Sequence, residues 1–351
     1  MPHWNRWEEG LLPAGAGIYT VNRRIGQIAL VVSDQARSTA FYARAFGLEH
    51  VFGTSAFRRE SAGTIQGIDN VASTTHWLID DRELFQLEIF QFEHPRSRPL
   101  PEDHSICDDG YNRVIIAVKS LQETSERVTA AGGVINALLF GGQPDCADHA
   151  LVRDPDGILL ELVEAPELVP GERPARIIGL GITSPDLATT VEDMCEGFGF
   201  TPCEDRFRHG TFWQADGRLE SEQTLQLDDM YLVVSQYRNN RARAADYRLA
   251  DIGVMNFAIC FLSQEDFADC YRRTQQIGMY SSGDPFAIGE VASVTYNNDR
   301  QGFSVKMFYL AKKLWGLYGF AHPRWQDRVT MKLMEWKSQR KHRKHIRRRA
   351  A

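Results

Sequence analysis

The sequence has no apolar run long enough to cross a bilayer, so no transmembrane helix is expected. Its first residues, Met1 to Glu9, lack the basic start and apolar core of a secretory signal, and a cytoplasmic protein is expected. Cysteine is scarce: six in 351 residues, none spaced C-x-x-C. That excludes a zinc ribbon and a disulfide framework and leaves thiols as core filler. The body also lacks basic charge. The chain carries −6 overall, but eight of its 40 Lys and Arg residues fall at or after Lys337, where there is no acid. Residues 1–336 therefore hold 32 basic against 46 acidic side chains, a net −14. An acidic body is no nucleic-acid binder; only the basic tail can seek an anionic partner.

What is present is a repeat. Ile25-Gly26-Gln27-Ile28-Ala29-Leu30-Val31-Val32-Ser33-Asp34 runs into a helical stretch ending at Phe46-Gly47-Leu48. Ile177 to Asp186 runs likewise to Phe198-Gly199-Phe200, and the aspartate-to-glycine interval is thirteen positions both times. The β-branched run is a buried strand. Asp34 or Ser33 caps the helix, Phe41, Tyr42, Ala45 and Phe46 form its buried face, and Gly47 stops it. Two variants of the unit complete the set. One runs from Val114-Ile115-Ile116-Ala117-Val118 through a helix (Leu121 to Ala131) to a hairpin turning at Asp154-Pro155-Asp156-Gly157. The other runs from Phe257 to a last strand, Phe303 to Phe308. The segment Ala165 to Pro174, with three prolines and a glycine, reads as an exposed linker.

Gln27-Ile28-Ala29-Leu30-Val31-Val32, Phe41-Tyr42, Phe46-Gly47-Leu48, Leu87-Glu88-Ile89-Phe90 and Asp154 to Leu162 together resemble the glyoxalase, bleomycin-resistance and extradiol-dioxygenase proteins, the vicinal-oxygen-chelate superfamily. The resemblance covers most of 23–311 and is more specific in the first half. It implies an α+β fold: four βαβββ modules paired into two domains with cupped mixed sheets. The expected division is an N-terminal arm (1–22), a first domain with the active site (23–166), a linker (167–174), a second, degenerate domain (175–311), and a C-terminal helix with basic tail (312–351).

In such families, metal ligands come from the start of each module's first strand and a carboxylate near its last. Carried over, these positions are Gln27, Glu88, Arg113 and Glu161 in the first half, and Gly179, Val233, Asn256 and Lys306 in the second. Gln27, Glu88 and Glu161 suit a divalent ion (Mn, Fe, Zn, Ni or Mg). Arg113 departs from the pattern, because a guanidinium has no lone pair to give. Three readings stand: a metal-free pocket in which Arg113 bridges Glu88 and Glu161, placed first; a retained metal; and a salt-bridge cluster that only packs. His149 and His76 lie on strands leading to the two glutamates, and one residue of register decides whether each faces the cup. Arg58 and Arg59 can border the pocket or lie in a solvated loop.

The second half offers little chemistry, and Gly179, Asn256 and Lys306 make no facial triad, which argues against extradiol ring cleavage. The expected function is small-molecule proton-transfer chemistry, as a lyase, isomerase or hydrolase. Glu88 or Glu161 is the base, Arg113 the stabiliser of negative charge, and Gln27, His149, His76 and Arg58 bind substrate. The alternatives are a drug-sequestering binder and a metal-dependent, dioxygenase-like enzyme with an atypical site. A homodimer is an open expectation. Trp325, Val329, Leu333 and Trp336 recur at helical spacing, so an amphipathic helix docked on the body is expected near 325–338.

Overall fold

The computed structural model describes residues 22–57, 60–139, 147–204, 218–334 and 336–337. Four modules follow one another. The first holds β1 (Arg23–Val31), α1 (Gln35–Phe46), β2 (Glu49–Phe57), the short α2 (Glu60–Gln66), β3 (Ala72–Ile79) and β4 (Gln86–His94). The second holds β5 (Gly110–Val118), α3 (Leu121–Ala130), β6 (Val134–Leu139), β7 (His149–Arg153) and β8 (Leu159–Glu164). The third holds β9 (Ala175–Thr183), α4 (Leu187–Glu192), a π-helical turn (Asp193–Phe198), β10 (Thr201–Cys203), β11 (Leu219–Leu227) and β12 (Met230–Tyr237). The fourth holds β13 (Gly253–Phe261), α5 (Gln264–Gln276), β14 (Tyr280–Ser281), β15 (Phe286–Ile288), β16 (Ala292–Asn298) and β17 (Ser304–Leu310).

The helix boundaries follow from local chemistry. The Asp34 carboxylate accepts the Arg37 N–H at 3.0 Å, and Gly47 ends α1 in the left-handed region at φ 71°. Asp186 caps α4 in the same way, and Gly199 closes the π turn at φ 78°. Ser120 and Ser263 cap α3 and α5.

The modules pair across the chain rather than within its halves. One sheet runs β14-β16-β17-β13-β1-β4-β3-β2, with β15 on β16, and joins modules one and four. The other runs β10-β11-β12-β9-β5-β8-β7-β6 and joins modules two and three. At each centre the two first strands lie antiparallel, β1 with β13 and β5 with β9. The halves 23–166 and 175–311 therefore each contribute one module to each sheet.

Alternation splits every strand between two environments. Ile28, Leu30, Val114, Ile116, Leu180, Ile182, Phe257 and Ile259 share one continuous core with Phe41 and Tyr42 of α1, Val128 of α3, Phe198 of the π turn and Phe267 of α5. Gln27, Ala29 and Val31 of β1, and Arg113, Ile115 and Ala117 of β5, take the opposite faces. Smaller apolar clusters line those faces.

Two expectations need correction. The linker is not simply exposed: Ala165 and Val169 are buried against Ile115, Val163 and Val233 on the inner face of the second sheet. The C-terminal helix does not dock through its aromatic stripe. Trp325, Val329, Leu333 and Trp336 are 71%, 49%, 54% and 54% exposed, and the same helix buries Asp327 and Met331 instead. Asp327 caps it, accepting the Arg324 backbone N–H at 2.9 Å, which fixes the rotation. The basic run 338–351 lies outside the described residues.

Candidate functional site

On the first sheet, β4 runs parallel to β1 and places Glu88 opposite Ala29; β17 runs parallel to β13 and places Lys306 opposite Ala258. The antiparallel β1–β13 register sets Asn256 opposite Ala29 and Gln27 opposite Ala258. These side chains converge on the inner face of one cup. The Lys306 ammonium donates to Gln27 Oε1 at 2.6 Å and to Glu88 Oε2 at 3.2 Å. Trp77 Nε1 donates to Glu88 Oε1 at 3.1 Å. The ammonium also lies 5.5 Å from the Phe308 ring centre and 6.0 Å from that of Tyr296. Burial opposes a charge on Lys306, but the field of Glu88, with Tyr296 behind it, outweighs that cost and raises its pKa. Lysine therefore stays protonated. Asn256 is fully buried, and neither its amide nitrogen nor its oxygen has a hydrogen-bond partner among the described residues. Apolar clusters flank these side chains: Trp315 and Phe320 group with Ala258, and Ile65 and Ile68 with Ala29. Gly319, at φ 74°, lets the C-terminal segment close on Trp77, where a Cβ would come within 2.8 Å.

The second sheet carries a different cluster. Arg113 Nε donates to Glu161 Oε2 at 2.6 Å, and Arg113 Nη1 donates to Asn112 Oδ1 at 3.1 Å. His149 Nδ1 lies 3.1 Å from Glu161 Oε1. Arg113, Glu161 and His149 have no exposed surface. Burial works against the guanidinium charge, and Glu161 more than restores it, so the Arg113 pKa is raised. Gly181 makes room for this arginine: a Cβ there would lie 2.3 Å from Nη1. Gly179 and Val233 bring no polar side chain.

The expected four-residue cluster is thus divided. Gln27 and Glu88 meet Lys306 and Asn256, whereas Arg113 and Glu161 meet His149. Arg113 does not bridge the two glutamates, because β4 and β8 belong to different sheets. His149 faces the inner side, paired across from Val163. His76 does not face the cup. It pairs with Ile89 on the helix side, bonds Thr39 Oγ1 at 2.9 Å and stacks on His50 at 4.3 Å. Burial, then His50, lowers its pKa to about 4. Trp77, one residue on, takes the cup position. Arg58 and Arg59 lie outside the described residues.

Residues 24–162 match the sequence model of the Glyoxalase/Bleomycin resistance protein/Dioxygenase superfamily. Those residues, the first part of the chain, resemble the vicinal-oxygen-chelate superfamily. The chain's fold is similar to that of glyoxalase I from Zea mays, at 14% identity and a TM-score of 0.57, over 83% of this chain and 93% of that one. It is also similar to a Bacillus subtilis protein assigned as a dioxygenase, at 13% identity and a TM-score of 0.59, over 89% and 94%. No curated protein sequence matches the chain.

Given that resemblance, the decisive test is whether these side chains fit a divalent ion. Gln27, Glu88 and Asn256 offer oxygens, but a protonated ammonium already sits between two of them. A divalent ion about 4 Å from that charge meets a repulsion of about 8 kcal/mol at an effective dielectric of about 20. The set does not fit a metal, and the second cluster, with Arg113 at its centre, does not either. Sequence reasoning placed Asn256 and Lys306 at ligand positions of this vicinal-oxygen-chelate fold, yet assigned them to a separate, inert cup. The available signal was Lys306 itself, a lysine in Ser-Val-Lys-Met-Phe between residues that face the core.

Proposed function

We propose that the first cup binds a small molecule carrying a carbonyl or carboxylate oxygen and moves a proton on it without a metal. The observation supporting this is the Lys306 ammonium, fixed between Gln27 and Glu88 beside the unpaired amide of Asn256. A buried amide with both ends unsatisfied costs stability unless a ligand completes it. In this reading Asn256 orients the substrate and Lys306 stabilises the negative charge that develops on its oxygen. Glu88, steadied by Trp77, accepts the proton from the adjacent carbon. Gln27 holds the ammonium in place. The second cluster is sealed and serves as packing that neutralises its own charges.

The test is solvent-deuterium incorporation into a panel of α-hydroxy, α-keto and 1,3-dicarbonyl compounds, followed by NMR. Exchange by the wild type that is lost in Glu88→Gln, with ligand binding retained, supports proton transfer. Exchange that survives Glu88→Gln moves the base elsewhere. Stoichiometric binding without exchange in any compound makes the protein a binder rather than an enzyme.

A further inference from the structure

A cavity of about 300 Å³ is lined by none of Gln27, Glu88, Lys306, Arg113, Glu161 or His149. It lies where the segment joining β4 to β5 meets the segment joining β12 to β13. Its volume is at the small end of the range for ligand pockets, about 300–1,000 Å³. Leu100, Ile158, Ile252, Val254 and Met255 make its walls largely apolar.

The charged lining is distinctive in its pairing. Arg98 is bound to Asp246 and Asp251, and Arg241 to Asp103 and Asp108, which also holds His104. Two lining charges have no ion-pair partner among the described residues, and they are of opposite sign: Arg243 and Asp109. Arg243 gives only Nη2, to the Gly302 carbonyl at 2.9 Å and the Gln301 carbonyl at 3.3 Å, while its plane is held 5.0 Å from the Tyr247 and Phe303 ring centres. Its Nε and Nη1 have no hydrogen-bond partner among the described residues. Asp109 accepts one bond, from the Asn240 amide. An anion alone would meet Asp109, and a cation alone would meet Arg243.

We propose that this cavity binds a zwitterionic α-amino acid with an apolar side chain. Its carboxylate is taken by Arg243, its ammonium by Asp109, and its side chain by the Leu100–Ile158–Val254 wall. The guanidinium edge suits a carboxylate, and each charge-assisted contact is of the strong class. The site is independent of the first cup and stands whether or not proton transfer occurs there.

The probes are L-leucine and L-phenylalanine, with phenylacetate and phenethylamine as single-charge controls, titrated calorimetrically into the full chain. The expected result is binding of the amino acids, with each control at least about tenfold weaker. Arg243→Gln and Asp109→Asn should each weaken binding by about tenfold or more. Asp109→Asn is isosteric, so it makes the same test should Arg243→Gln fail to fold. A co-crystal with L-phenylalanine should place the carboxylate at Arg243. No amino-acid binding at millimolar concentration, affinity unchanged by Asp109→Asn, or ligand density confined to a cup would each overturn the proposal.

Discussion

Replacing Lys306 with methionine isolates the charge at the centre of the first cup. The methionine keeps most of the lysine stem's volume and removes the ammonium. Glu88 and Lys306 are 5% and 8% exposed, so solvent does little to replace the lost contact. Removing one member of a buried ion pair costs about 3–5 kcal/mol. Trp77 still donates to Glu88, which places the expected loss near the lower figure, about 3 kcal/mol. Adding Glu88→Gln removes the orphaned charge and should recover about 2 kcal/mol of the loss. Urea unfolding of both single variants and the double variant, at pH 7, measures this. A Lys306→Met variant within about 0.5 kcal/mol of wild type at pH 7, or strict additivity with Glu88→Gln, would refute the buried-pair reasoning.

Two further outcomes follow from the packing. Gly181→Ala drives a Cβ to 2.3 Å from the Arg113 guanidinium, which its bond to Glu161 holds in place, so a loss of about 2–3 kcal/mol is expected in thermal or urea unfolding; a neutral effect would mean the arginine moves freely. Burial raises the Asp154 pKa from 3.8 to about 7, against the bonds it accepts from the Ile158 and Asp156 N–H groups and from Tyr42. The folded state then binds the extra proton, so this contribution is full below pH 4 and is lost as pH rises through about 7. Asp154→Asn should flatten the fall in melting temperature between pH 4.5 and 7.5, by up to about 1.4 kcal/mol of stability per pH unit; an unchanged slope would show that Asp154 is already ionised.

Local signals carried much of the fold. The repeat, the Asp34 and Asp186 caps, the stops at Gly47 and Gly199, and the inward parity of Gln27, Glu88, Arg113 and Glu161 are all short-range features, readable within a dozen residues. The pairing of modules is not of that kind. β1 joins β13 across more than two hundred residues, and nothing local in either strand names its partner. That gap divided the expected cluster and brought Lys306 and Asn256 to Gln27 and Glu88. Register was the second obstacle. His76 and Trp77 are neighbours, so one step decides which reaches Glu88, and the bulge between Ala72 and Ser73 in the β3–β4 ladder shifts the count. The linker misled through its prolines, which mark a turn but leave Ala165 and Val169 free to bury.

Direct titration with Mn²⁺, Ni²⁺ and Zn²⁺, with metal content read by inductively coupled plasma mass spectrometry, tests most directly whether Lys306 stands where an ion would. Wild type should hold no ion at the first cup. Lys306→Glu, which adds a carboxylate to Gln27, Glu88 and Asn256, should gain one per chain. One ion per wild-type chain, lost in Glu88→Ala, would contradict a metal-independent site.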